Sequence, residues 1–235
     1  MTDATKRFYT DASVAPRDGA FAVLIDGRQL RTPGKAPLLA PTLTLAEACA
    51  AEWRAQGDTV RMETMPLTRL VNTAIDQTPG TRALSLESIA GYASTDLVCH
   101  RAEAPPALEQ RQADVWGPLV DWARHDLGAP LKVVSGVIAA DQPTAARTAF
   151  AAAADACDDF ELTGLARAVG ISGSGVIGLA LQRGRLSADD AYAAACLDDL
   201  WQLETWGKDF IARQRLDALE EEFTALGRWF AALRG

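Results

Sequence analysis

Histidine is almost missing from this chain: His100 and His125 are the only two among 235 residues. General acid–base catalysis and zinc chemistry are thereby deprived of their commonest side chain. His100 directly follows Cys99, and adjacent residues point in different directions, so the two form no ready dyad. His125 sits just before Gly128, near an expected helix C-terminus where a cation suits the dipole. Cys49, Cys99, Cys157 and Cys196 stand far apart with no CxxC pair, which fits reduced, buried thiols rather than disulfides or a metal site. No apolar run is long enough to span a bilayer, and Met1 to Tyr9 lacks the apolar core of a signal peptide and the long Arg/Ser-rich stretch of a transit peptide. The expected compartment is the bacterial cytosol, and a mature organellar protein with its presequence removed would read the same way. Basic residues are also in deficit, 23 against 31 acids, for a net charge of -8. That field repels phosphate backbones and anionic lipid and favours a basic protein surface as partner.

What is present is a chain of ordinary apolar content, 49%, long enough for one large domain or two modest ones. The first third carries strand and turn signals. Phe21, Val23 and Ile25 alternate with Ala22, Leu24 and Asp26, and Asp26-Gly27 supplies a tight hairpin turn. Asp18-Gly19 supplies a second, with Arg7 to Val14 as the preceding strand. A helix is expected from Leu43 to Gln56, placing Leu45, Cys49 and Trp53 in the core, and another from Pro66 to Asp76. Beyond Thr78-Pro79-Gly80 the pattern becomes helical, broken at Pro105-Pro106, Gly128 to Pro130, Gly170 and Gly184. Pro118 is expected to kink the helix of Leu108 to Leu127 or to start a new one. Ser187 reads as an N-cap, and Leu216, Leu219, Phe223, Leu226, Phe230 and Leu233 make an apolar seam. The expected fold class is α+β: a small domain over residues 1–80 with N-terminal antiparallel strands, then an α-helical domain over 81–235.

Gly173-Ser-Gly175-Val-Ile-Gly178 matches the dinucleotide fingerprint, which has meaning only between a buried strand and a helix start. Here helix precedes it, and no strand follows where a ribose-binding acid should lie. Small residues permitting close helix packing is the preferred reading. Neither a cofactor nor a metal is expected.

Ser187 to Gln214, projected as one helix at about 100° per residue, is less bland. Tyr192, Cys196, Leu200, Leu203 and Phe210 form an apolar arc flanked by Leu197, Trp201 and Trp206. Glu204 falls inside the arc and Asp199 falls between Trp206 and Phe210. An acid there needs a cation, solvent or a partner surface. Lys208, four residues after Glu204, is the local candidate cation.

Several ordered segments resemble the mitochondrial and alphaproteobacterial chaperones of the ATP synthase alpha subunit. They are Arg7-Phe-Tyr9, Asp26 to Pro33, Leu45 to Trp53 with Gln56, Met65 to Thr68, and Asn72 to Asp76. Thr95 to Arg101, Gln112 to Leu119 with Trp122, and Gln202 with Trp206-Gly207 complete the series. The resemblance implies a chaperone without enzyme activity that covers the beta-facing surface of the unassembled alpha subunit. A monomer is expected, because a chaperone must leave its working surface free. Eukaryotic members would work in the mitochondrial matrix. It implies a functional acid in this C-terminal region, with the family's acidic pair falling on Asp198 and Asp199. The mitochondrial pattern has a His-Asp pair past Trp-Gly, whereas Lys208 to Gln214 has no histidine, so Asp199 and Glu204 are both candidates. With Asp198, Trp201 and Trp206 they make the expected partner-binding set. Two other classes remain open, an oxidoreductase using Gly173 to Gly178 and a helical scaffold for a different protein.

Overall fold

The computed structural model describes residues 5–136, 141–207 and 209–235. The chain divides into two units. One comprises residues up to Arg82 with 159–163 and 228–235, and the other comprises 83–158 and 164–227.

The first unit is built on β2 (Ala12–Arg17) and β3 (Ala20–Ile25), which follow the two-residue strand β1 (Thr5–Lys6). β3 is the middle strand. It pairs antiparallel with β2 along its whole length, and on its other side with β4 (Arg28–Gln29) and β5 (Leu39–Ala40). Both hairpin turns have the predicted chemistry: Asp18 and Gly19, then Asp26 and Gly27, all have positive φ. The strand before the first turn is Ala12–Arg17, later than the Arg7 to Val14 expected, because Arg7 is drawn elsewhere. Its guanidinium donates to the carbonyls of Tyr9, Thr10 and Gln56. The helices α1 (Leu43–Arg54) and α2 (Pro66–Asp76) frame β6 (Thr59–Val60), which pairs with β1. α1 buries Leu45, Cys49 and Trp53, as their spacing demands.

Thr42 caps α1: its hydroxyl oxygen accepts from Leu45 N at 3.2 Å and its hydroxyl donates to Ala232 O at 2.6 Å. Thr42→Ala removes both bonds and should cost about 1–2 kcal/mol, read as a lowered urea midpoint with unchanged slope. α2 has no such cap of its own, since Met65 makes no side-chain bond there. Glu52, buried on α1, replaces it by accepting from Leu67 N and Thr68 N, each at 2.8 Å. At the other end of α2, Asp76 accepts from Thr32 Oγ1 at 2.6 Å and Gly34 N at 2.7 Å, which fixes the loop before β5.

The helices continue with α3 (Thr78–Tyr92), whose first turn is Thr78-Pro79-Gly80. β7 (His100–Arg101) precedes α4 (Pro106–Asp126), and β8 (Val134–Ser135) pairs parallel with β7. α4 runs through Pro118 as one element, so the expected new start there does not occur. Next come α5 (Thr144–Asp155), α6 (Asp159–Ser172) and α7 (Gly175–Gln182). α6 passes Gly170 and ends at Gly173, whose φ of 67° makes it the true stop signal. α7 buries every residue from Gly175 to Leu181, so it forms the core of the second unit.

The single helix expected from Ser187 to Gln214 is three. α8 (Ala188–Ala195) starts on the predicted Ser187 cap, and Cys196, at φ -102° and ψ 16°, turns the chain into α9 (Leu197–Trp206). Gly207, with φ 95°, then separates α9 from α10 (Phe210–Arg234). The continuous apolar arc is therefore split at Cys196 and again at Gly207.

Candidate functional site: the turn between α9 and α10

α9 carries two acids, two tryptophans and a third acid within ten residues, yet it buries only Leu197. From Asp198 to Arg215 no described residue is buried, and Leu216 begins the buried seam of α10. The three most exposed large apolar side chains among the described residues fall in this stretch. Trp206 is 75% exposed, Phe210 80% and Ile211 77%. Gly207 has no Cβ to oppose its positive φ, and Asp209 caps the new helix by accepting from Ile211 N at 2.8 Å and Ala212 N at 3.2 Å. The turn thus forces apolar residues outward that a continuous helix would have divided between its faces.

Two shallow grooves flank Leu203. One, of about 330 Å³, lies between Gln202 and Trp206 on α9 and Ala212 on α10. The other, of about 510 Å³, is lined by Leu200, Glu204, Phe210 and Arg213.

Each acid of α9 has a partner. Gln112 Nε2 donates to Asp198 Oδ1 at 2.8 Å, and Arg215 Nη2 to Asp199 Oδ1 at 2.5 Å. Glu204 accepts both arms of the Arg111 guanidinium, at 2.5 and 3.1 Å. That hydrogen-bonded pairing holds the Glu204 carboxyl below its usual range and raises Arg111 above its own. Lys208, the cation nearest in sequence, lies outside the described residues. Gln112 is itself fixed, because its Oε1 accepts from Ala102 N at 2.7 Å. One turn along α4, Trp116 is fully buried and donates from Nε1 to Ala194 O at 2.8 Å. Arg101 lies 5.1 Å over its ring. Segments far apart in sequence therefore hold α9 and the end of α8 that leads into it.

The glycine motif has a different environment. Asp96, with no exposed surface, accepts from Ser174 Oγ at 2.5 Å, Val176 N at 3.1 Å and Val98 N at 3.2 Å. Its carboxylate occupies the N-terminus of α7, where a pyrophosphate would have to sit. A Cβ on Gly175 would stand 2.3 Å from the Phe150 ring, and one on Gly178 would stand 2.5 Å from Val169. These glycines serve close helix packing, and the helix terminus already holds an internal anion.

The four cysteines are buried, and burial pushes the Cys49 and Cys99 thiols up to about 12 and Cys196 to about 11. They are poor nucleophiles. Among the described residues no three His, Cys, Asp or Glu side chains are placed to hold a metal, and no helix is long and apolar enough to cross a membrane.

An exposed apolar cluster beside paired acids is a surface of the kind that chaperones carry. Residues 6–124 match the family model described as ATP12 chaperone protein, and the chain belongs to that family. Its structure is similar to Atp12 from Paracoccus denitrificans, with a TM-score of 0.92 at 37% identity over 98% of this chain and 99% of that one. It is also similar to a protein from Agrobacterium tumefaciens described as a candidate chaperone, with a TM-score of 0.90 at 41% identity over 97% of this chain and 86% of that one. Mitochondrial protein atp12 of Schizosaccharomyces pombe is 24% identical over 214 residues, covering 86% of this chain and 74% of that protein.

Proposed function

We propose that this chaperone captures the unassembled alpha subunit of ATP synthase on the α9–α10 turn and shields its beta-facing surface until beta takes its place. The observation that carries the reading is the clustering of Trp206, Phe210 and Ile211, the most exposed large apolar side chains described, within six residues. Exposed apolar clusters of this kind serve contact with another chain. Asp198, Asp199, Trp201 and Glu204 complete the surface on the same helix.

Charge supports the partner's chemistry. The second unit contains twenty acidic and eleven basic residues, whereas the first contains eleven and twelve. The negative field is therefore concentrated in the unit that carries the turn, and it suits a basic partner surface with an apolar centre. The work is non-covalent: the protein acts as a monomer, without cofactor or catalysis, in the bacterial cytoplasm.

Trp206→Ser with Phe210→Ser should weaken capture of co-expressed alpha subunit by about tenfold or more while leaving the circular dichroism melt unchanged, since exposed truncations cost little stability. Capture equal to that of the parent would refute the surface. An unrelated protein recovered in place of alpha would support a general helical scaffold instead.

A further inference from the structure

We propose that Arg111 of α4, which stands outside the exposed apolar cluster, is a positioning residue for it. One guanidinium grips two points on α9. It donates to both carboxylate oxygens of Glu204, and its central carbon lies 5.8 Å from the Trp201 ring centroid. Trp201 and Glu204 are three residues apart, so they share one face of α9, and Arg111 spans that face.

The grip matters because α9 has so little apolar burial. α7, a helix of eight residues, buries seven of them, whereas α9 buries one of ten. An exposed ion pair contributes little when a core already holds its helix. Where apolar burial is this slight, the same pair decides local docking more than global stability. The planar fork is needed for both tasks. A lysine could neutralise Glu204 but could not form two parallel bonds while lying near the indole. On this account Glu204 acts through Arg111 to aim α9, and with it Trp206, toward the partner. Asp199 is tied from the other side by Arg215 of α10 and does not depend on Arg111.

The proposal rests on the reading that the α9–α10 turn captures the alpha subunit, and two readouts keep their failures apart. The first is hydrogen exchange of the α9 amides in the full chain alone. Arg111→Glu and Glu204→Arg should each speed α9 exchange by about tenfold, with α7 unchanged, and the charge-swapped double variant should restore protection to within about threefold. Arg111→Lys should fall between parent and Arg111→Glu. The second readout is capture of co-expressed alpha subunit, which should fall in the order parent, Arg111→Lys, Arg111→Glu. If Arg111→Glu leaves α9 exchange at the parent rate, or if the swap is no better than the single variants, the positioning role is wrong. If Arg111→Glu speeds α9 exchange but captures alpha as well as the parent does, the role of Arg111 in capture fails. Normal capture by the Trp206 and Phe210 double variant would remove the partner surface itself while the exchange data still decide what Arg111 does.

Discussion

Asp96→Ala is expected to destabilise the protein by about 3–5 kcal/mol, enough to unfold much of a marginally stable chain. The substitution strips the acceptor from Ser174 Oγ and from the amides of Val98 and Val176, all of them buried. Each orphaned donor costs on the order of 1–3 kcal/mol, and the N-terminus of α7, the most buried helix described, loses its anion. Urea unfolding followed by circular dichroism checks this, and a loss below about 1 kcal/mol would mean that other groups satisfy those donors. The same residue confers a pH dependence of defined sign. Burial pushes its pKa up from 3.8 to about 6, against the opposing effect of the hydrogen bonds it accepts. With the folded value above the unfolded one, the native state holds the proton more tightly, and the contribution is complete below about pH 4 and lost as pH rises through 6. Relative to Asp96→Asn, which cannot titrate, the parent should gain on the order of 2 kcal/mol between pH 7 and pH 4.5. A constant difference across that range would show that Asp96 is ionised throughout.

Gly175→Ala should cost about 3 kcal/mol, at the upper end for added volume in a packed core. The new methyl carbon would fall 2.3 and 2.6 Å from two atoms of the Phe150 ring, which is fully buried and has no free direction in which to move. Phe150→Ala opens the space that the methyl requires, so the double variant should lose less than the sum of the single losses. Strict additivity would place the strain elsewhere. The experiment also tests the glycine pattern, because a cofactor-binding loop would register the substitution in ligand affinity rather than in stability without ligand.

Legibility in the sequence follows the range over which the signal acts. Both Asp-Gly hairpins, Pro66 at the head of α2 and Ser187 at the head of α8 are local, and each was readable from adjacent residues. The breaks that separate α8, α9 and α10 were not. Cys196 has no turn-forming chemistry, and a single glycine such as Gly207 costs a helix only about 1 kcal/mol, so periodicity alone runs through both. That is why helical projection set Phe210 in the inner arc, whereas the structure leaves it in solvent. The acids show the same limit. Glu52 and Asp96 lie in unremarkable runs, because the helix N-termini they serve begin 15 or more residues away, at Leu67 and Val176. Arg111 is 93 residues from Glu204, and no pattern in either segment points to the other. The tryptophans and acids of α9 stand out in the sequence as acids among aromatics, but the side chains that anchor them become visible only when α4 and α10 are in place.

The first unit is not a contiguous stretch of chain: residues 228–235, at the end of α10, belong to it, and the Ala232 carbonyl accepts a hydrogen bond from the Thr42 hydroxyl. Translation delivers β2, β3 and α1 long before these residues. The first unit must therefore leave the ribosome tunnel without them and wait for well over a hundred further residues before its packing is complete. Vectorial, domain-by-domain maturation is closed to this chain, and the chaperone passes through its own period of unfinished assembly before it can serve another protein.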